Sequence, residues 1–256
     1  MLEPRLIPCL LLQGSTLVKT RRFSSPGYVG DPINTARIFN ELEVDELLLL
    51  DIGATRAGSD VQFRLLQSLC EECFMPLAYG GGISSCQQIQ RLLSIGCEKV
   101  AINSALFQGG GLLQEAARQF GNQAIIASLD VKKPWFGSPG VVSHGATRKQ
   151  TGGVVDWARR LEEWGAGEIL LTSVDREGGW QGPDLDTIRS VTHAVSIPVI
   201  AHGGVGNLEH VAQCVHHAGA SAVGVGSMVV YQAKDMGVLV QFPDREQLRR
   251  IWQRGY

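Results

Sequence analysis

Two glycine runs stand just ahead of helix-start signals in this chain, Gly80-Gly81-Gly82 and Gly203-Gly204-Val205-Gly206. Backbone without Cβ atoms can bring its N–H groups against a ligand, and a helix N-terminus adds a dipole that favours an anion. Each run is followed by a segment that ends in a hydroxyl, Asn103-Ser104 and Gly226-Ser227. These residue types suit two phosphate cradles, and two cradles suit a ligand phosphorylated at both ends. The same runs would also serve as tight turns with no ligand.

A second set could move protons. Asp51, Asp130, Asp175 and Glu177 fall at or just after apolar runs, and Thr172 closes another run with a hydroxyl. Asp130 follows a long apolar run and precedes a long loop, where a general acid or base projects. A carboxylate so placed can instead cap a helix or organise a loop. Residues 18–30, with Lys19, Arg21 and Arg22, read as a mobile lid. Residues 131–153 carry His144, Arg148 and Lys149, with His144 in a turn rather than acting as a base. A third set, Arg5, Glu46, Lys99 and Glu168, stands at or next to the starts of four apolar runs. Two opposite pairs there could plug the floor of a fold or gate a small polar molecule entering from below.

The elements that must position these groups follow from the hydrophobic pattern. Apolar runs at 6–12, 46–52, 76–80, 99–103, 124–131, 169–173, 199–201 and 222–226 alternate with amphipathic stretches. Helix starts are signalled by Asp31-Pro32, Ser84-Ser85 and Asn207. Gly96, Gly121, Gly165 and Gly219 stop helices just before the next run. Continuous apolar strands spaced by helices argue a parallel sheet under helices, and eight such units in 256 residues argue a closed (β/α)8 barrel. Its function belongs at the C-terminal ends of the strands. Residues 76–82 reappear in type at 198–204, Glu46-Leu-Leu-Leu at Glu168-Ile-Leu-Leu, 96–104 at 219–227, and the first strand at 125–130. The chain therefore reads as one barrel domain over 1–256, built of two half-barrels of about 1–120 and 121–256. The mate of Asp130 in this repeat is Leu11.

Composition sets the class. Hydrophobic residues make up 44% and charged residues 19%, enough for a large core. The 31 glycines show no collagen period. A net charge of −2 gives no nucleic-acid footprint, so a small molecule or a protein surface is the client. No run reaches the length of a membrane span, and 6–12 lacks the flanks of a signal peptide. Six scattered cysteines fit a reducing cytoplasm; Cys70 and Cys73 form a CxxC with no second pair to complete a metal site. Neither a metal nor a cofactor is called for.

Several segments together carry a family resemblance over essentially the whole chain. They are Arg5-Leu6-Ile7-Pro8-Cys9-Leu10, Gly30-Asp31-Pro32, Asp45-Glu46, Leu50-Asp51-Ile52, Gly80-Gly81-Gly82-Ile83, Lys99-Val100-Ala101-Ile102-Asn103, Gly167 to Ser173, and Gly203-Gly204. The sequence resembles the cyclase subunit of imidazole glycerol phosphate synthase, the HisF family. The resemblance implies a lyase barrel docked by its N-terminal face onto a glutamine-hydrolysing subunit of the HisH type. Ammonia would pass a charged gate of Arg5, Glu46, Lys99 and Glu168. At the mouth it would meet a ribulosyl-formimino carboxamide nucleotide held by Gly81, Gly82, Asn103, Ser104, Gly203, Gly204, Gly226 and Ser227. The products would be imidazole glycerol phosphate and an aminoimidazole carboxamide ribotide.

The departures are as informative as the matches. Of the family's two catalytic aspartates, Asp130 matches the second and Leu11 takes the place of the first. Loss of one acid–base partner costs typically ~10²–10⁴ in rate. Glu177 replaces the family's Asp after the sixth strand, while Lys19, Asp51, Asn103 and Thr172 remain; Asp130, Glu177, Thr172, Lys19 and Asp51 are the candidate catalytic residues. The pattern resembles second HisF-type proteins of surface-polysaccharide (O-antigen) assembly, where ammonia would reach a sugar through an additional amidotransferase. The alternative is an active cyclase of histidine biosynthesis working with an altered acid. A phosphoribosyl isomerase on the same half-barrel design fits less well, because the opening Ile7-Pro8-Cys9 and the floor charges suit the cyclase.

Overall fold

A computed structural model describes residues 3–134 and 137–253. Both ends of the 1–256 span, and Trp135-Phe136 of the 131–153 loop, lie outside the described residues. The strands are β1 (Arg5–Gln13), β2 (Thr16–Arg21), β3 (Ser24–Gly30), β4 (Leu47–Asp51), β5 (Leu77–Gly80), β6 (Lys99–Ile102), β7 (Ile125–Lys132), β8 (Gly140–Ser143), β9 (Arg148–Lys149), β10 (Glu168–Ser173), β11 (Val199–His202) and β12 (Ala222–Val225). Parallel pairing runs β1–β4–β5–β6–β7–β10–β11–β12 and returns from β12 to β1, so the expected eight-stranded barrel is closed.

The strands carry Leu, Ile, Val and Ala on both faces, as strands buried on both sides must. One face fills the barrel: Ile7, Cys9, Leu48, Ala78, Ile126, Leu170 and Ile200 belong to one interior cluster. The other face joins the larger cluster under the helices, where Leu6, Leu47, Tyr79, Val100 and Ile169 are buried. The helices that cover the barrel begin where the caps predict. Asp31 accepts from the Asn34 amide at 2.8 Å, Ser85 from Gln88 at 3.3 Å, and Asn207 from His210 at 2.9 Å. Gly96, Gly121, Gly165 and Gly219 all adopt positive φ after their helices, the conformation that lets a helix turn directly into the next strand.

The two long loops differ from expectation. Residues 18–30 do not form an open loop: β2 and β3 make a hairpin that continues β1 antiparallel above the barrel. Its turn is Arg22-Phe23, with φ of 54° and 60°. Both central residues at positive φ match a type I′ turn, which Asn-Gly normally signals; Arg-Phe hides it from the sequence. Residues 131–153 likewise fold back as β7–β8–β9, and His144, at φ 54°, sits in the turn between β8 and β9. Asp31→Ala removes the side-chain acceptor at the start of the helix Pro32–Glu41. It is expected to cost about 1 kcal/mol in denaturant unfolding, and a midpoint identical to the parent would contradict the cap.

Candidate active site in the barrel mouth

Strand register places the chemistry. Asp130, Thr172, His202 and Gly224 are direct neighbours across β7, β10, β11 and β12. Their repeat mates form the facing row: Leu11, Leu50, Gly80 and Ala101 across β1, β4, β5 and β6. Residues at one level of a parallel barrel point the same way. At this level the row supplied by the second half of the chain is polar and the facing row is apolar. Leu11 is buried there at 6% exposure. A cavity of about 130 Å³, open to solvent at its top, is lined by residues of both rows and by Phe23 of the hairpin turn.

Asp130 is the candidate acid. Its Oδ2 accepts from Asn103 Nδ2 at 3.1 Å, and the same amide also donates to the Ser128 carbonyl. Burial pushes the carboxyl up to about 7, against the opposing pull of the Asn103 hydrogen bond. Asp130 thus sits where it can both give and take a proton near neutrality. Thr172 shares a hydrogen bond of 3.1 Å with His202 Nδ1. Burial, with the nearby Lys19 charge, holds that imidazole down at about 3, so it is neutral.

Asp51 is differently employed. Its Oδ1 accepts from the amides of Gly53 and Ala54 at 2.9 and 3.0 Å, and its Oδ2 from Gln62 at 3.1 Å. It lines the cavity while organising the turn after β4. Asp175 accepts from the Lys133 amide at 2.6 Å. Glu177 lies beneath the hairpin. It pairs with Lys19 and accepts from Thr20 Oγ1 at 3.1 Å and the Phe23 amide at 3.2 Å. Its carbonyl accepts from the Arg22 amide at 3.0 Å. Burial draws the Lys19 ammonium down to about 8. The region read as a mobile lid is therefore latched shut by one buried carboxylate.

The two glycine corners are not equivalent in this structure. Gly81, Asn103 and Ser104 open on the mouth cavity, and Gly82 follows with φ 68°. At the second corner, Gly203 and Gly204 have φ of 101° and 91°. A Cβ there would fall 2.6 Å from the Ser173 carbonyl or 2.2 Å from the Gly182 carbonyl, so close backbone packing alone demands glycine. Lys19 lies over Gly226, and Ser227 opens on a separate groove with Lys19, Arg21 and Tyr231.

At the opposite end, Arg5, Glu46, Lys99 and Glu168 close a four-membered ring. Arg5 meets Glu46 at 2.5 Å and Glu168 at 2.6 Å; Lys99 meets them at 2.9 and 2.6 Å. Burial would raise the Glu168 carboxyl, but hydrogen bonds from Arg5 and Lys99 outweigh it and hold it below the usual range.

Sequence reasoning missed His202. The repeat carries the signal, since the mate of His202 is Gly80, where a Cβ would meet Leu50 and Ala101 within 2.9 Å. The hairpin groups Thr20 and Phe23 were missed too, because nothing in their types marks them.

A closed parallel barrel with a buried acid and a glycine-lined corner at its mouth, over a ring of charges at its floor, has the architecture of a small-molecule enzyme. The sequence pattern of the histidine biosynthesis protein family matches residues 5–235. A provisionally named imidazole glycerol phosphate synthase subunit hisF2 of Pseudomonas aeruginosa is 42% identical over 97% of this chain and 99% of its own. A likewise provisionally named subunit HisF of Leptospira interrogans is 40% identical over 96% and 97%. A hisF3 of Vibrio vulnificus, also provisionally named, is 38% identical over 98% and 96%. The chain belongs to this family, as a HisF-like, cyclase-type barrel.

Two outcomes test the geometry. The Asp130 carboxyl ionises at an ordinary 3.8 when unfolded and at about 7 when folded. Stability is thus lost as pH rises between these values, because the unfolded chain releases the proton first. Asp130→Asn should melt with the parent at about pH 4 and above it at about pH 8; equal melting at both would show an exposed carboxylate. Glu177→Gln breaks a buried ion pair, at an expected cost of about 3–5 kcal/mol, and should speed amide exchange at Arg22 and Phe23. Unchanged exchange there would show that Glu177 is no latch.

Proposed function

We propose that the chain is the synthase subunit of a glutamine amidotransferase. It takes ammonia from a glutaminase of the HisH type docked on the barrel floor. The ammonia passes the Arg5–Glu46–Lys99–Glu168 ring and the apolar interior to a phosphorylated ligand at the mouth. In this reading Asp130 is the proton carrier, Thr172 and Asp51 shape its surroundings, Lys19 and Glu177 hold the lid, and the glycine corners with Asn103, Ser104 and Ser227 take phosphate. The observation that carries the finer reading is Leu11, buried in the mouth in line with Leu50. A leucine moves no proton, so the facing half of an acid–base pair is missing. We infer that the ammonia serves amidation of a sugar in surface-polysaccharide (O-antigen) assembly, with a sugar amidotransferase as a further partner, in the cytoplasm.

One observation favours a second reading, an active cyclase of histidine biosynthesis. Asp130 keeps a carboxyl poised near neutrality beside two further polar side chains of the same row.

Ammonium with the ribulosyl-formimino carboxamide nucleotide separates them. The chain should turn over at least ~10²-fold slower than a family member with both aspartates, and Leu11→Asp should recover a large part. Comparable turnover in the parent chain would favour the cyclase. Sedimentation showing no complex with any glutaminase encoded beside it would count against both.

A further inference from the structure

His202 is the one ionisable group of the mouth's polar row that the reading above leaves without a task. Its ring lines the cavity. Gly224, its neighbour on β12, leaves it room: a Cβ there would stand 3.3 Å from His202 Cδ2. Nδ1 is taken by Thr172 Oγ1. Among the described residues, no other hydrogen-bond partner is found for Thr172 Oγ1 or for His202 Nε2. When the hydroxyl donates to Nδ1, one of the two directions this bond allows, the ring's single proton stands on Nε2, the nitrogen left for a ligand, and we take that tautomer.

We propose that His202 is an electrophilic hydrogen-bond donor, whose Nε2–H holds and polarises the ligand's carbonyl oxygen at the carbon that ammonia attacks. This rests on the reading that ammonia meets a phosphorylated carbonyl compound in this mouth. Burial suits the role. An imidazole this hard to protonate is a poor base but a good neutral donor, the use a buried neutral histidine has in other carbonyl chemistry. Lys19, the cation that faces it, favours a ring that stays neutral; Asp130 lies two strands away in the same row.

The step then needs one proton carrier. Ammonia's lone pair forms the C–N bond as the carbonyl π pair moves to oxygen, which His202 hydrogen-bonds. Asp130, in its acid form, passes its proton to that oxygen. The resulting carboxylate takes a proton from the new ammonium nitrogen. A neutral carbinolamine results, Asp130 is restored, and His202 exchanges no proton. Leu11 is not needed for this addition, and the apolar row it belongs to packs against the hydrocarbon side of the ligand.

Long-range ¹H–¹⁵N spectra of the histidine rings in the full chain, assigned with His202→Gln, test the donor directly. A neutral ring protonated on Nε2 is expected from about pH 5 to 8; an Nδ1–H ring or an imidazolium in that range overturns the assignment. Turnover of the formimino nucleotide with ammonium chloride tests its use, in the parent and in Leu11→Asp. His202→Ala should lower kcat by about 10²–10³-fold, the usual effect of removing one such donor. His202→Gln, which keeps a donor but cannot take up a proton, should restore at least about tenfold of that loss. Equal turnover in His202→Ala, or no recovery with Gln, overturns the proposal. If both parent and Leu11→Asp are silent toward this probe, the underlying functional reading falls, while a wrong tautomer defeats the donor assignment alone.

Discussion

Barrel closure is the constraint on which the site depends. Once eight parallel strands close, every residue is locked at a level, and a residue's neighbours on adjacent strands are fixed by register. Asp130, Thr172 and His202 share one level because β7, β10 and β11 pair as they do, and Leu11, Leu50 and Gly80 share the facing level for the same reason. The chain's internal repeat has diverged there. At this level one row carries Asp130, Thr172 and His202, and the facing row carries Leu11, Leu50 and Ala101. That apolar row, and the hairpin whose Phe23 lines the same cavity, bury the polar one. Burial is what lifts the Asp130 carboxyl to about 7 and keeps His202 neutral.

The two ends of the barrel handle charge in opposite ways. At the floor, four charges neutralise one another in a ring with both carboxylates satisfied. At the mouth, the lid pair Lys19–Glu177 is compensated and Asp130 is not. Compensated charges hold structure, and an uncompensated, buried acid stores instability that chemistry can use. Between them the interior is apolar, from Ile7 and Ile126 up to Leu170 and Ile200. With Leu11 as the mate of Asp130, the site holds one buried acid of this row and not two.

Much of the barrel was legible because its signals are local. Apolar runs, the N-caps Asp31, Ser85 and Asn207, and glycines such as Gly96 and Gly219 state strand, start and stop within a few residues. The resemblance to the cyclase barrels rested on motifs spread over the whole chain, and the family match bears it out. The hairpin of β2 and β3 was not legible, since Arg22-Phe23 is no ordinary I′ pair and its stability comes from Glu177, far away in sequence. His202 was missed for a related reason. Its position in the row and its tie to Thr172 exist only after closure, although the contrast with its repeat mate Gly80 was open to view. Asp51 shows the opposite limit: residue type and place suggested proton chemistry, and only the amides of Gly53 and Ala54 reveal its work in the turn.

In the proposed reading one buried carboxyl, Asp130, serves as both the acid and the base of the mouth. The most direct measurement is a titration of the Asp130 side-chain carboxyl ¹³C resonance in the full chain. An inflection near 7 is expected, moving further up when Asn103 is replaced by Ala, because the one side-chain hydrogen bond found on the carboxylate among the described residues is then gone. An inflection near the ordinary 3.8, indifferent to Asn103, would mean that Asp130 is a hydrated carboxylate and not the buried acid described.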